Sequence, residues 1–304
     1  MSKRFYGHGK LLITGEYLVL DGALALAIPT QKGQSLVVED VNTEGITWVS
    51  LKSSGELWFT THLTYDDLKK SLPEQPADPK DRLIQLLAAA QSLNPQFLRD
   101  AKNIKVTTTL EFESNWGLGS SSTLIYTLAE WAEVDAYALL NLTFGGSGYD
   151  IACASNHTPI LYQLKEQKPR VLQTQFNPPF RDQLFFIHLN KKQNSRDAIS
   201  NYRKQPKESL ESAINKVSGI SETLLSCEEL LSFRALIDAH ERIIASVLNT
   251  QTIKQQLFAD YPGSIKSLGG WGGDFILVTA NQEDLDYFRN KGYHTIISYS
   301  DMAY

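Results

Sequence analysis

The sequence predicts an α+β fold organised as two domains. Three observations carry this expectation. Strand-like alternation and hairpin signals occur in both halves of the chain, and helical apolar spacing is mixed among them rather than alternating with strands in a regular way. The chain has 304 residues, enough for more than one hydrophobic core. A Pro-rich, charged stretch, KEQKPRVLQTQFNPPFRD (165–182), marks the junction and divides the chain into domains 1–175 and 176–304.

Each element follows from local pattern. KLLITGEYLVLDGALALAIP (10–29) reads as two strands joined at Asp21-Gly22, a hairpin turn signal. ITWVSLKSSGELWFT (46–60) reads as a second hairpin around Ser53, Ser54 and Gly55. Pro73, Pro76 and Pro79 mark a loop, and RLIQLLAAAQSL (82–93) has helical spacing. IKVTTTLEF (104–112) places Ile104, Val106, Leu110 and Phe112 at strand period. A loop, WGLGSSST (116–123), hands this strand over to a helix in which Leu124, Leu128, Trp131 and Ala132 recur. The second half opens with the strand QLFFIHL (183–189). A helix follows with Leu230, Phe233, Leu236, Ile237, His240, Ile243, Ile244 and Val247 on one stripe. GGWGGDFILVT (269–279), a helix at NQEDLDYFRNK (281–291) and a strand YHTIISY (293–299) close the chain.

Composition excludes several functions. With 42% hydrophobic and 21% charged residues and a net charge of −5, the chain lacks the basic excess of a broad nucleic-acid surface. Cys153 and Cys227 have neither a disulfide framework nor metal-ligand spacing, and the six histidines form no HxxxH or HExxH pair. Cys153, one helical turn from Asp150, reads as a small core residue. The start shows no apolar signal run and no stretch of 18 apolar residues occurs, so a cytoplasmic protein without membrane contact is expected.

The glycine-serine loop has two readings. Helix N-termini offer unpaired N–H groups and the positive end of the helix dipole, so they hold phosphates, and glycine lets the backbone approach the anion closely. A tight turn with serine caps has the same composition and carries no ligand. Familiar nucleotide fingerprints do not decide the matter. Gly9-Lys10 is followed by Leu11, so there is no Walker loop, and GxGxxG fails at Ser122. GGSGY (145–149) is not a nucleophile elbow, and Asp274-Phe275-Ile276 is not DFG.

Taken together, GKLLITGEY (9–17), NWGLGSSST (115–123), GGSGYDIACAS (145–155) and SLGGWGGDF (267–275) resemble the motif set of the GHMP kinases. That superfamily contains galactokinase and the homoserine, mevalonate and phosphomevalonate kinases. Gly148-Tyr149-Asp150-Ile151-Ala152 is similar to the motif of its GYDIA subgroup. The resemblance implies a two-domain fold, with an N-terminal ribosomal-protein-S5-like α/β domain and a C-terminal ferredoxin-like α+β domain. It also implies ATP and Mg²⁺ as cofactors and a small-molecule acceptor as partner. Within the superfamily, GEY, DIACAS and Gly272-Gly273-Asp274 look closest to phosphomevalonate kinases, with mevalonate as the other acceptor.

Roles follow from the resemblance, residue by residue. Asn115, Gly117, Leu118, Gly119, Ser120, Ser121 and Ser122 would wrap the triphosphate, with Ser121 as the Mg²⁺ ligand and Ser120 and Ser122 capping the helix or touching phosphate oxygens. Asp150 would accept the acceptor's proton, although local sequence alone favours a helix cap. Lys10 would supply fixed positive charge. Glu16, Tyr17, Ser147, Ser195, Arg196 and Gly270 would line the acceptor side. The chain departs from the pattern at His8, where proline is usual, at Trp271 in the last glycine run, and at Leu139, where mevalonate kinases carry a second Mg²⁺-binding glutamate. Glu130 and Glu133 are the alternatives for that ligand, and a nucleotide-binding protein without transfer activity is the competing function.

Overall fold

The computed structural model describes residues 2–73, 76–99, 103–206 and 209–304, without the side chains of Ser195 and Arg196. The first two strands, β1 (Ser2–Leu12) and β2 (Ala25–Asp40), pair with each other. They are not joined by a two-residue turn at Asp21-Gly22. Leu18–Asp21 forms a 3-10 helix, and Gly22 closes it at φ 93°. The apolar run LVL is buried helix-wise rather than as a strand, because Leu18 and Val19 both go to the interior in succession. Gly15 makes the preceding bend, with φ +90° and a Cβ position only 2.7 Å from Ala25 Cβ, so a side chain there has no room.

The next hairpin forms as expected. β3 (Ile46–Leu51) and β4 (Leu57–Leu63) are antiparallel, and Gly55 N–H donates to Lys52 O at 2.9 Å in the turn. Helix α1 (Pro79–Leu93) starts on Asp78, whose carboxylate caps Lys80 and Asp81 N–H, and Pro79 occupies the first helical position. β5 (Ile104–Leu110) alternates buried and half-buried residues along its length. Helices α2 (Ser120–Ala132), α3 (Ala136–Thr143) and α4 (Tyr149–Ala154) follow. In α2 the core stripe is Ile125, Leu128, Ala129 and Ala132, with Leu124 and Trp131 packed only partly against it, one residue round from the expected face.

The expected junction is partly a hairpin. β6 (Ile160–Lys165) and β7 (Lys168–Gln173) pair antiparallel, and Glu166 and Gln167 make the turn with φ 51° and 61°. Neither is a usual residue for left-handed backbone, so no turn signal announced it. Then come β8 (Leu184–His188), α5 (Ser195–Arg203), α6 (Leu210–Leu225), α7 (Leu230–Val247), α8 (Ile253–Leu257), β9 (Ile265–Ser267), β10 (Phe275–Thr279), α9 (Leu285–Asn290), β11 (Ile296–Ser298) and α10 (Tyr299–Met302).

These elements form two compact units that are interleaved in sequence. The first contains the chain up to Gly9, Lys32–Ser114 and Gly119–Ser155; the second contains Lys10–Gln31, Asn115–Leu118 and Asn156–Tyr304. In the first unit the strand order is β4-β3-β5-β2, with β3 parallel to β5 and Gln34–Asp40 of β2 antiparallel to Ile104–Leu110. Its core joins Trp48, Leu63, Val106 and Leu36 of the sheet to Leu83, Leu87, Ile125, Leu128, Leu139 and Ile151 of α1 to α4. In the second unit Ala25–Ala27 pair with β6, and a separate sheet has the order β11-β8-β10-β9. Phe185, Ile187, Ile276 and Val278 of that sheet pack with Phe258, Tyr261 and Phe288. A second cluster there joins Tyr17, Leu18, Tyr202, Val217, Ile244 and Trp271. Among the described residues no helix is long and apolar enough to cross a membrane.

Candidate functional site

The first unit holds the helix end of the glycine-serine loop. Gly119, at φ 89° and ψ 41°, takes the N-cap position of α2 without any side-chain cap. The left-handed backbone selects glycine here, and neither Ser120 nor Ser122 supplies the cap that the sequence led us to expect. The first intrahelical bond runs from Thr123 N–H to Gly119 O at 3.0 Å, so the amides of Ser120, Ser121 and Ser122 stand ahead of it at the positive end of the helix. Ser121 is exposed, Ser120 half-buried and Ser122 buried. The Ser122 hydroxyl donates to Asp150 Oδ2. Asp150 lies in the first turn of α4, behind the left-handed Gly148 at φ 83°, and its Oδ1 accepts from Ile151 N–H at 3.2 Å. Ser147, just before that glycine, is half-buried.

The second unit holds the other end of the loop, and ties down its carbonyls. His188 Nδ1 accepts from Asn190 N–H at 3.3 Å, so its Nε2–H donates to Asn115 O at 3.1 Å. Lys10 Nζ donates to Gly117 O at 2.8 Å, and Lys10 N–H donates to Leu118 O at 3.0 Å. Trp116 meets Phe275 edge-on, with ring centroids 5.4 Å apart. Gly117, at φ +69°, lies so close to Asp274 that a Cβ would stand 2.4 Å from its Cγ. Asp274 is buried and itself left-handed at φ 54°. Its Oδ1 accepts from Gln193 N–H at 3.1 Å, and its N–H donates to Lys191 O at 2.7 Å. A shallow cleft is lined by Lys10, Leu12, Trp116, Gly117, Gly269 and Asp274, among others. Gly270 backs onto Gln193, whose Cγ would lie 2.7 Å from an added Cβ.

Beside this, still in the second unit, lies a buried charge cluster. Glu16 Oε1 accepts from Lys266 Nζ, which also donates to Ser267 O and lies 3.1 Å from Glu241 Oε1. The Ser267 hydroxyl donates to Glu241 Oε2 at 2.9 Å. Glu16, His240, Glu241 and Lys266 are each at most 3% exposed. His240 Nε2 accepts from Gly15 N–H at 3.0 Å, so the imidazole carries its proton on Nδ1 and is neutral. Burial, and then the Lys266 charge, holds it well below the usual imidazole range. Burial pushes the Glu16 carboxyl up to about 7 against the opposing pull of Lys266, and burial raises Glu241 as well. Glu16 Oε2 stands 3.4 Å from His240 Nε2.

Tyr17 follows Glu16 in a strained conformation, φ 62° and ψ −48°, with its ring 5.4 Å from that of Tyr202. The Tyr202 hydroxyl donates to Asp21 Oδ2 at 2.5 Å. Trp271, at φ 50°, is buried, and its Nε1 has no hydrogen-bond partner among the described residues. Leu139 is fully buried core, while Glu130 and Glu133 are exposed. Ser195 and Arg196 open α5, and their side chains lie outside the described residues.

Sequence reasoning missed Lys266, Glu241, Asp274 and His188. Only Asp274 carried a signal, as the acid that ends a glycine run. Nothing local in the sequence marks Lys266, between Ile265 and Ser267, or Glu241, between His240 and Arg242.

No family model and no curated protein sequence matches the chain. Solved structures do. The Methanococcus jannaschii mevalonate kinase superposes with a TM-score of 0.68 at 12% identity, over 98% of this chain and 96% of that one. The Streptococcus pneumoniae phosphomevalonate kinase in complex with phosphomevalonate and AMPPNP gives 0.68 at 15% identity, over 98% and 99%. The Lactococcus lactis galactokinase complexed with galactose gives 0.66 at 11% identity, over 95% and 88%. The superpositions take in nearly all of this chain and most of each of those structures. The chain has the two-domain α+β fold of the GHMP kinases.

Proposed function

We propose that the protein is an ATP-dependent kinase that transfers the γ-phosphoryl group to a small acceptor of the mevalonate type, phosphomevalonate or mevalonate. The observation that carries the reading is the state of the glycine-serine loop. The carbonyls of Asn115, Gly117 and Leu118 are all engaged by protein donors, and the amides of Ser120, Ser121 and Ser122 open the helix that follows. A backbone held with its acceptors occupied and its donors ahead of a helix suits an anion, and a triphosphate in particular.

Each residue has a role in this reading. The amides of the α2 first turn bind phosphate oxygens. Mg²⁺ takes oxygen ligands, keeps several waters and needs only one or two from the protein. The exposed Ser121 hydroxyl fits that requirement and would hold the ion, which supplies charge neutralisation between the phosphates. Lys10 adds a fixed positive charge that favours the charge developing on the transferred group. Asp150 takes the proton of the acceptor's O–H as the new P–O bond forms. Tyr17, Ser147, Gly270, Ser195 and Arg196 are assigned to the acceptor side, and Glu16 supports them from the buried cluster.

A kinase-fold protein that binds nucleotide without transfer is the second reading. Leu139 favours it, because this buried leucine stands where mevalonate kinases carry a second Mg²⁺-binding glutamate. ADP release measured with mevalonate, phosphomevalonate, homoserine and galactose in parallel separates the two. We expect turnover with phosphomevalonate or mevalonate. Tight nucleotide binding with no ADP above background for any acceptor would establish the second reading.

A further inference from the structure

Ser122 was expected to cap its helix or touch phosphate, and the structure gives its hydroxyl another partner. Other helical hydroxyls of this chain bond back along their own helix: Thr127 to Thr123 O at 2.9 Å, Thr143 to Leu139 O at 2.7 Å, Ser218 to Ile214 O at 2.7 Å. Ser122 does not. The carbonyl four residues before it, Leu118 O, accepts from Lys10 N–H, and the Ser122 hydroxyl reaches from α2 to Asp150 Oδ2 on α4. Ser122 is 5% exposed and Asp150 is half-buried, so water competes poorly for this bond.

We propose that Ser122 is a positioning residue for Asp150 and makes no contact with the nucleotide. This rests on the phosphotransfer reading above. An aspartate on a first turn rotates about two bonds, and its two oxygens exchange places when nothing holds them. Ser122 engages Oδ2 as a hydrogen-bond acceptor and so holds the carboxylate in one orientation. Among the described residues Oδ1 accepts from the neighbouring Ile151 amide at 3.2 Å, and it is the oxygen that receives the acceptor's proton. In the step, the acceptor O–H bond breaks and its proton goes to Oδ1. The acceptor oxygen forms a bond to the γ-phosphorus, and the bond from that phosphorus to the bridging oxygen breaks with its electron pair leaving on ADP. Ser122 keeps its own proton throughout, and Oδ1 returns the acquired proton to solvent after product leaves.

A double-mutant cycle on the full chain tests this, with kcat from ADP release and nucleotide Kd from titration with a non-hydrolysable ATP analogue. Ser122→Ala should lower kcat by about 10- to 100-fold, the range for a hydrogen bond to a charged group, with analogue Kd within about twofold. In an Asp150→Asn background, Ser122→Ala should cost nothing further, because its only route to the chemistry has been removed. Alanine is the best helix former, so the variant should fold. If thermal melting says otherwise, Ser122→Cys keeps the size, weakens the donor and carries the same comparison. A rise in analogue Kd for Ser122→Ala, equal in both backgrounds, would make Ser122 a phosphate ligand and overturn the proposal. An inactive Asp150→Asn beside a fully active Ser122→Ala would overturn it while leaving the kinase reading intact. An active Asp150→Asn removes both Asp150's role and this one.

Discussion

Lys266→Met removes the one cation of the buried cluster and leaves Glu16 and Glu241 facing each other without it. Breaking a buried pair by deleting one partner typically costs about 3–5 kcal/mol, since the remaining charge is stranded in low dielectric. For a unit of this size that corresponds to a fall in Tm of roughly 10 °C. The cost has to depend on pH. Glu16 is already pushed up to about 7 with Lys266 in place, and Lys266 is what pulls it down against burial. Without the lysine both carboxyls rise further above their unfolded range. A carboxyl raised in the folded state contributes stability that is complete below its unfolded pKa and is lost as pH climbs through the folded value. Each such carboxyl therefore adds up to about 1.4 kcal/mol of destabilisation per pH unit across that window. His240 works in the same direction, because Lys266 helps to keep it neutral, and a protonated imidazole 3.4 Å from Glu16 Oε2 can partly replace the lysine in acid. Chemical or thermal unfolding of wild type and variant at pH 5.5 and pH 8.5 is the assay. The gap between them should widen by at least about 2 kcal/mol at the alkaline end. A gap that is constant or that narrows would refute the picture of one lysine opposing the upward push of burial on two carboxyls.

Other expectations concern the site. Gly117→Ala places a Cβ 2.4 Å from Asp274 Cγ on a backbone at φ +69°, so it should destabilise by about 1–3 kcal/mol and abolish the Tm increase given by an ATP analogue; a normal ligand-induced shift would place the nucleotide elsewhere. Asp150→Asn keeps shape and removes the base, so kcat should fall by about 10²–10⁴ with analogue Kd nearly unchanged, and near-normal turnover would reduce Asp150 to a helix cap. Arg196→Ala should raise KM for phosphomevalonate by roughly 10- to 100-fold with little effect on ATP. Turnover of mevalonate alone, indifferent to Arg196, would shift the acceptor to mevalonate.

The parts of the fold that were legible are those where one residue per turn or per pleat meets the core. β5 buries Ile104, Val106, Thr108 and Leu110 at the period its sequence shows, and α7 buries Phe233, Ile237, His240 and Ile244. The parts that were not legible depend on backbone conformations that the wrong residues adopt. Glu166 and Gln167 form a left-handed turn with no Asn or Gly to announce it, so the hairpin inside the expected junction went unread. Tyr17 at positive φ turns LVLD into a 3-10 helix where β-branched and aliphatic residues suggested a strand. At the hairpin the paired strands β6 and β7 flank the turn, and at Tyr17 the ring packs with Tyr202, Val217 and Ile244 of three helices, so tertiary contacts accompany both departures from local preference.

The site divides along the same line. Glycines were informative because they answer to backbone needs that sequence displays: Gly119 and Gly148 are both left-handed, each immediately before a helix. Side-chain partnership was not displayed. Nothing in GSSST distinguishes the serine that turns to solvent from the one that turns to Asp150, because that choice is set by which neighbouring helix each face of α2 meets. Lys266 and Glu241 come from β9 and α7, elements separated by a loop and a short helix, and each alone looks like an ordinary surface charge. Their identity as a pair exists only when the third member, Glu16, arrives from more than two hundred residues away. A buried charge can persist only with its partner, so the cluster as a whole, and not any one residue, is what the sequence encodes.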